Sequence, residues 1–142
     1  MKKLTITILT GILSLQAMNM NAQTDKVAYL FTYFTGNAPD QEQICYALSD
    51  DGYNWTPLNT GNPVIASDTI AITGCVRDPH ILRCEDGKTF YMVATDMKSS
   101  LGWSSNRGMV LMKSTDLLHW EHTTIHFPTK FANTWRNVQR VW

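Results

Sequence analysis

The sequence lacks any excess of charge. Twelve Lys and Arg balance twelve Asp and Glu over 142 residues, which gives no electrostatic case for nucleic acid or an anionic membrane surface. Cysteine is sparse and odd in number. Cys45, Cys75 and Cys84 cannot all pair within one chain, no Cys/His spacing resembles a zinc site, and all three read as small buried hydrophobes. Long apolar runs are missing except Leu4 to Leu15, which is too short to span a bilayer. With Lys2 and Lys3 before it and Asn21-Ala22 after it, this run reads as the core of a signal peptide over residues 1–22. A mature chain starting near Gln23 would be secreted or periplasmic, with no membrane span of its own. Helical periodicity is absent from the rest, which excludes a helical bundle.

What is present is a run of short aromatic-rich segments broken by turns, with five Trp among 11% aromatic residues. Val27 to Phe34 reads as a strand and Gln43 to Leu48 as a second. The turn Ser49-Asp50-Asp51-Gly52-Tyr53-Asn54-Trp55 delivers a tryptophan onto a third, and Asn59 to Pro63 closes the unit. The order then recurs: a strand over Thr89 to Thr95, a loop over Met97 to Asn106, a strand over Gly108 to Lys113, the turn Ser114 to Trp120, and Glu121 to Phe127.

Ser49, Asp51 and Trp55 match Ser114, Asp116 and Trp120, each at an offset of 65, and Tyr29 matches Tyr91 at 62. In each turn the Asp is expected to cap the backbone and the Trp to fill the wedge between neighbouring sheets. Only the second unit has an extra strand ahead of it, Val76 to Cys84. The reading is all-β: about two blades of a β-propeller. Residues 27–66 form a partial, three-stranded blade, 74–127 a full blade, and 128–142 the start of the next. Two blades cannot close a ring, so residues 23–142 read as the N-terminal part of a longer domain.

The extra strand carries the chemistry. Gly74-Cys75-Val76-Arg77-Asp78-Pro79-His80-Ile81-Leu82-Arg83 sets a carboxylate before a proline at a strand mouth. Pro79 is expected to hold Asp78 in the extended region and to open the strand without needing an N–H. Regular alternation would put Asp78 and His80 on one face and turn Arg77 away, into an ion pair between blades. On an inner strand, Asp78 becomes a candidate general base if a second carboxylate faces it across a substrate.

These residues, followed by Asp86-Gly87-Lys88-Thr89-Phe90-Tyr91-Met92 and Ser114 to Trp120, resemble glycoside hydrolase family 43. In that family a similar Asp-Pro-x-Ile-x-Arg strand, Asp-Gly hairpin, Tyr-rich strand and Ser-x-Asp-Leu-x-x-Trp turn occur in this order. Val141-Trp142 looks like the start of the family's Trp-Ala-Pro stretch. The resemblance implies a five-bladed propeller that hydrolyses arabinose- or xylose-containing plant polysaccharides with inversion. Asp78 would be its general base, with a general-acid Glu and a third Asp in later blades, so this stretch by itself would be inactive. No cofactor is implied; a structural cation in the channel has no support in the sequence.

Three further residues are candidates for contact with an oligo- or polysaccharide. His80 lies on the Asp78 face, with a packed histidine as the alternative. Asp96 follows the Tyr91 strand, with a loop cap as the alternative. Trp103 sits between Gly102 and Ser104 in a polar loop, with a ring tucked under its own loop as the alternative. Asp51 and Asp116 are assigned to turn capping. A sialidase reading fails on the spacing of its repeated Asp box, and a fructan hydrolase of the invertase type on a missing Asn-Asp-Pro-Asn-Gly. A non-catalytic glycan-binding propeller, or an inactive fragment, stays open as the alternative function.

Overall fold

The computed structural model describes residues 28–141. The signal-peptide reading of residues 1–22 and the reading of Trp142 lie outside the described residues. The fold is all-β, with two antiparallel sheets and two single-turn helices. The first sheet has three strands in the order β1 (Tyr29–Tyr33), β2 (Cys45–Ser49) and β3 (Thr56–Pro57). The second has four in the order β4 (Val76–Arg83), β5 (Phe90–Asp96), β6 (Gly108–Ser114) and β7 (Glu121–His126). The one-turn helices α1 (Ser67–Ile70) and α2 (Phe127–Lys130) follow the first sheet and β7.

Each sheet is a meander; β2–β3, β4–β5 and β6–β7 are joined by short turns with their own chemistry, β1–β2 and β5–β6 by longer loops. Asp51 accepts the backbone N–H groups of Tyr53 and Asn54, both at 2.8 Å, while Ser49 Oγ accepts those of Asp51 and Gly52. Asp116 and Ser114 repeat the arrangement on Leu118, His119, Asp116 and Leu117. These backbone bonds come first among the causes that hold both carboxyls well below the ordinary carboxylate range. Asp86 caps the β4–β5 hairpin through Lys88 and Thr89, and its pKa is drawn down to about 2, chiefly by the Thr89 hydroxyl.

The two tryptophans behave differently. Trp120 packs on the core and donates from its indole to the Leu117 carbonyl. Trp55 lies tilted on Phe31, 5.4 Å between ring centroids, and is exposed, so it fills no wedge among the described residues.

Register corrects the match between the units. Tyr29 stands opposite Ser49, and Phe90 stands opposite Ser114. Tyr29 is therefore equivalent to Phe90, not Tyr91. A one-residue slip exchanges the two faces of a strand: Tyr29, Phe31 and Tyr33 occupy the face that Phe90, Met92 and Ala94 occupy in the second sheet.

The sheets stack face to face. Met92, Ala94, Val76, Val110 and Met112 of the second sheet bury against Ile44 and Tyr46 of the first, with Leu30, Ile81 and Trp120 at the margin. Cys45 and Cys75 are buried and Cys84 half-buried, and all three are free thiols. Burial thus holds for two of the three cysteines; Cys84 sits at the start of the hairpin turn, where less covers it.

Candidate active site

β4 is one of the two edge strands of the second sheet, and it is irregular between Arg77 and His80. Arg77 stands opposite Thr95 and His80 opposite Val93, leaving Asp78 and Pro79 to share the single position of Ala94. This is a β-bulge. Asp78 has φ +49, so it adopts neither the extended conformation expected before proline nor the right-handed one. Asp is among the few side chains that tolerate this left-handed region. The Pro79 carbonyl is taken by the Thr32 hydroxyl of β1 at 3.0 Å, which ties the bulge to the first sheet.

The bulge changes which residues share a face. Arg77, Thr95, His80 and Val93 lie on one side of the sheet, away from the core. A cavity of about 480 Å³ opens there, lined by Arg77, Asp78, His80, Thr95 and Trp103 among others. Three of the four sequence candidates, Asp78, His80 and Trp103, are therefore brought together. Asp78 and His80 are exposed, and Trp103 is 57% exposed. The Asp78 carboxylate accepts no hydrogen bond from a described residue, whereas the turn aspartates are fully engaged.

Asp96 does not join them. It is 2% exposed and accepts from the Ile72 N–H at 2.8 Å, the Thr73 N–H at 2.9 Å and the Thr73 hydroxyl at 2.7 Å. It stands on the core side of β5, opposite Val76. The substrate-contact reading of Asp96 is thus corrected: its carboxylate is spent on the backbone that leads into β4.

Arg77 departs from expectation in one respect and meets it in another. It lines the same cavity as Asp78 and does not turn away, because the bulge breaks the alternation. Its Nη1 does make the ion pair between the two sheets, with Glu42 Oε1 at 2.9 Å. Glu42 itself is fully buried and accepts the Ser99 N–H at 2.9 Å. Burial pushes the Glu42 pKa up, but hydrogen bonds from Ser99 and Arg77 outweigh it and the net shift is downward. Sequence reading missed Glu42 because a lone Glu before an apolar strand carries no signal of burial.

The loop with Trp103 is held in place by two anchors. Ser99 docks on Glu42 as above, and the single Ser105 hydroxyl proton is shared between the carbonyls of Lys98 and Gly102. Gly102, at φ +75, separates the two tight turns at Ser99–Leu101 and Trp103–Ser105.

Asp78, on its bulged edge strand, thus shares one cavity wall with His80 and the half-exposed ring of Trp103. The family model for the glycosyl hydrolase 43-related group, described as a "Probable glycosyl hydrolase domain", matches residues 25–141. The chain belongs to this family. Over 93 residues it is 33% identical to an α-L-arabinofuranosidase of Bifidobacterium longum subsp. longum, an alignment covering 61% of this chain and 8% of that protein. The chain thus spans less than a tenth of that curated relative. No solved structure matches. Among the described residues, no helix is long and apolar enough to cross a membrane.

Proposed function

We propose that Asp78 is the general base of an inverting glycosidase acting on arabinose- or xylose-containing plant polysaccharides. It would take a proton from the water that attacks the anomeric carbon. The observation that carries this reading is the Asp78 carboxylate, without a hydrogen-bond partner among the described residues, on the wall of a cavity shared with His80 and Trp103. Its strained φ supports it as well, since such backbone outliers gather at active sites. The α-L-arabinofuranosidase relative favours an arabinoside.

Asp78 is the carboxylate among the described residues lining the cavity. An inverting enzyme needs a second carboxyl about 6.5–9.5 Å away, with water between. That group, a general-acid Glu, would come from another sheet of the same protein. The two sheets would be neighbouring blades of a propeller, with residues 1–22 as an export signal. The stack is open on both sides, which supports this: Tyr29, Phe31 and Trp55 are exposed on one end, and Leu82, Tyr91 and Leu111 on the other. Apolar faces of this kind are normally covered. Residues 23–142 alone are accordingly proposed to be inactive.

The test is Asp78→Asn in the full-length protein. Hydrolysis of an arabinoside or xyloside should fall by about 10²–10⁴-fold while the sugar still binds. Proton NMR of the product should show inverted configuration. An undiminished rate, or retained configuration, would overturn the assignment of Asp78. Turnover by residues 23–142 alone would overturn their proposed inactivity.

A further inference from the structure

We propose that Arg77 binds the ligand in the Asp78 cavity and that buried Glu42 sets it to accept a neutral, hydroxyl-rich sugar over an anionic one. The inference rests on the ligand being a glycan and adds to that reading which glycans are rejected.

Arg77 is clamped on one edge and one face. The two Nη1 hydrogens are shared among Asn37 Oδ1 at 2.7 Å, Glu42 Oε1 at 2.9 Å and the Ser99 hydroxyl. Its guanidinium carbon lies 4.5 Å from the centre of the Phe34 ring. Together these fix the guanidinium plane. All three hydrogen bonds fall on Nη1, so Nε and Nη2 have no partner among the described residues. The side chain keeps 12% of its surface open and lines the cavity. Nε–H and Nη2–H form a parallel two-donor fork. A fork held this firmly loses little entropy when it binds.

Charge decides what the fork takes. Glu42 is fully buried and 2.9 Å from Nη1, so the guanidinium is already neutralised at close range. Asp78, on the same wall, repels a second anion. A ligand carboxylate would shed its water for a guanidinium already paired and an opposing carboxylate. Two neighbouring sugar hydroxyls accept the same fork without that penalty.

The experiment is calorimetric titration of the full-length protein with two thio-linked, uncleavable oligosaccharides. One is a neutral arabino- or xylo-oligosaccharide; the other carries a uronic acid in place of one sugar. Wild type is expected to bind the neutral ligand at least about tenfold more tightly, a difference of one decade in Kd. Arg77→Lys keeps the charge facing Glu42 and loses the fork, and should weaken the neutral ligand about tenfold. Glu42→Gln keeps an oxygen acceptor for Ser99 and Arg77 but unmasks the positive charge, and should narrow or reverse the preference. A merely structural role for Glu42 would weaken both ligands equally.

If Arg77→Lys, folded by circular dichroism, binds both ligands as wild type does, the inference fails. It also fails if wild type prefers the uronate or binds neither ligand. Hydrolysis that persists in Asp78→Asn, with the neutral preference intact, would sink the general-base assignment and leave Arg77 standing.

Discussion

Glu42 and Arg77 meet at 2.9 Å across the seam between the two sheets, one fully buried and the other on the cavity wall. Glu42 reaches there just ahead of β2, and its own carbonyl accepts the Val76 N–H at the start of β4. Removing one partner of a buried ion pair strands the other and costs about 3–5 kcal/mol. Glu42→Ala should therefore lower unfolding stability by roughly that amount in urea titration; a loss below about 1 kcal/mol would show that the pair is not desolvated.

The same pair has a pH signature of fixed sign. The folded-state pKa of Glu42 lies below its ordinary 4.5, so the folded state binds fewer protons near that value and stability rises with pH there. The contribution is fully present above the ordinary value and is lost as pH falls through the folded one. Thermal melts of wild type should lose stability across this acid window by more than melts of Glu42→Gln do. Parallel acid limbs for the two proteins would contradict this.

Asp78 gives a prediction about backbone rather than charge. At φ +49 a side chain costs free energy that glycine does not. Asp78→Gly should be more stable than Asp78→Ala by about 1 kcal/mol, with Asp78→Asn between them because Asn tolerates this conformation. Differential scanning calorimetry of the three variants checks the ranking. Equal melting temperatures for Ala and Gly would mean that the bulge relaxes without strain.

Asp96→Ala removes the acceptor for Ile72 N–H, Thr73 N–H and the Thr73 hydroxyl. Leaving such donors unsatisfied costs about 1–3 kcal/mol. Stability in denaturant should fall by that order, while the affinity of the folded protein for an oligosaccharide stays unchanged. The reverse pattern, lost affinity at full stability, would return Asp96 to the binding site.

The turn aspartates extend the acid sensitivity. Both Asp51 and Asp116 are drawn below their ordinary 3.8, so their capping is intact above that pH and fails as pH drops further. Asp51→Asn combined with Asp116→Asn should lower the melting temperature at neutral pH and flatten the decline below the ordinary Asp range. An unaltered acid limb would place that sensitivity elsewhere.

Much of the strand order was legible because turns carry it locally. The Ser-x-Asp-x-x-x-Trp pattern specifies its own hydrogen bonds, so Asp51 and Asp116 were readable as caps without any tertiary contact. Side-chain likeness pairs Tyr29 with Tyr91, but equivalence between strands is decided by register, which places Tyr29 with Phe90. The role of Asp96 was ambiguous for a similar reason: the loop it caps lies more than twenty residues earlier in the chain. Asp78, His80 and Trp103 line one cavity, a grouping that their separate positions in the sequence do not specify; strict alternation would turn Arg77 away from it, and it cannot anticipate a bulge.

By itself the sequence determined the all-β character, the turn caps and the aspartate before Pro79, because each depends on residues a few positions apart. Tertiary structure alone decided that Asp78 bends into a left-handed bulge, that Arg77 shares its cavity, and that Glu42 is buried beneath them. Those outcomes depend on how two sheets pack and which polar groups that packing removes from water, and no local spacing encodes either.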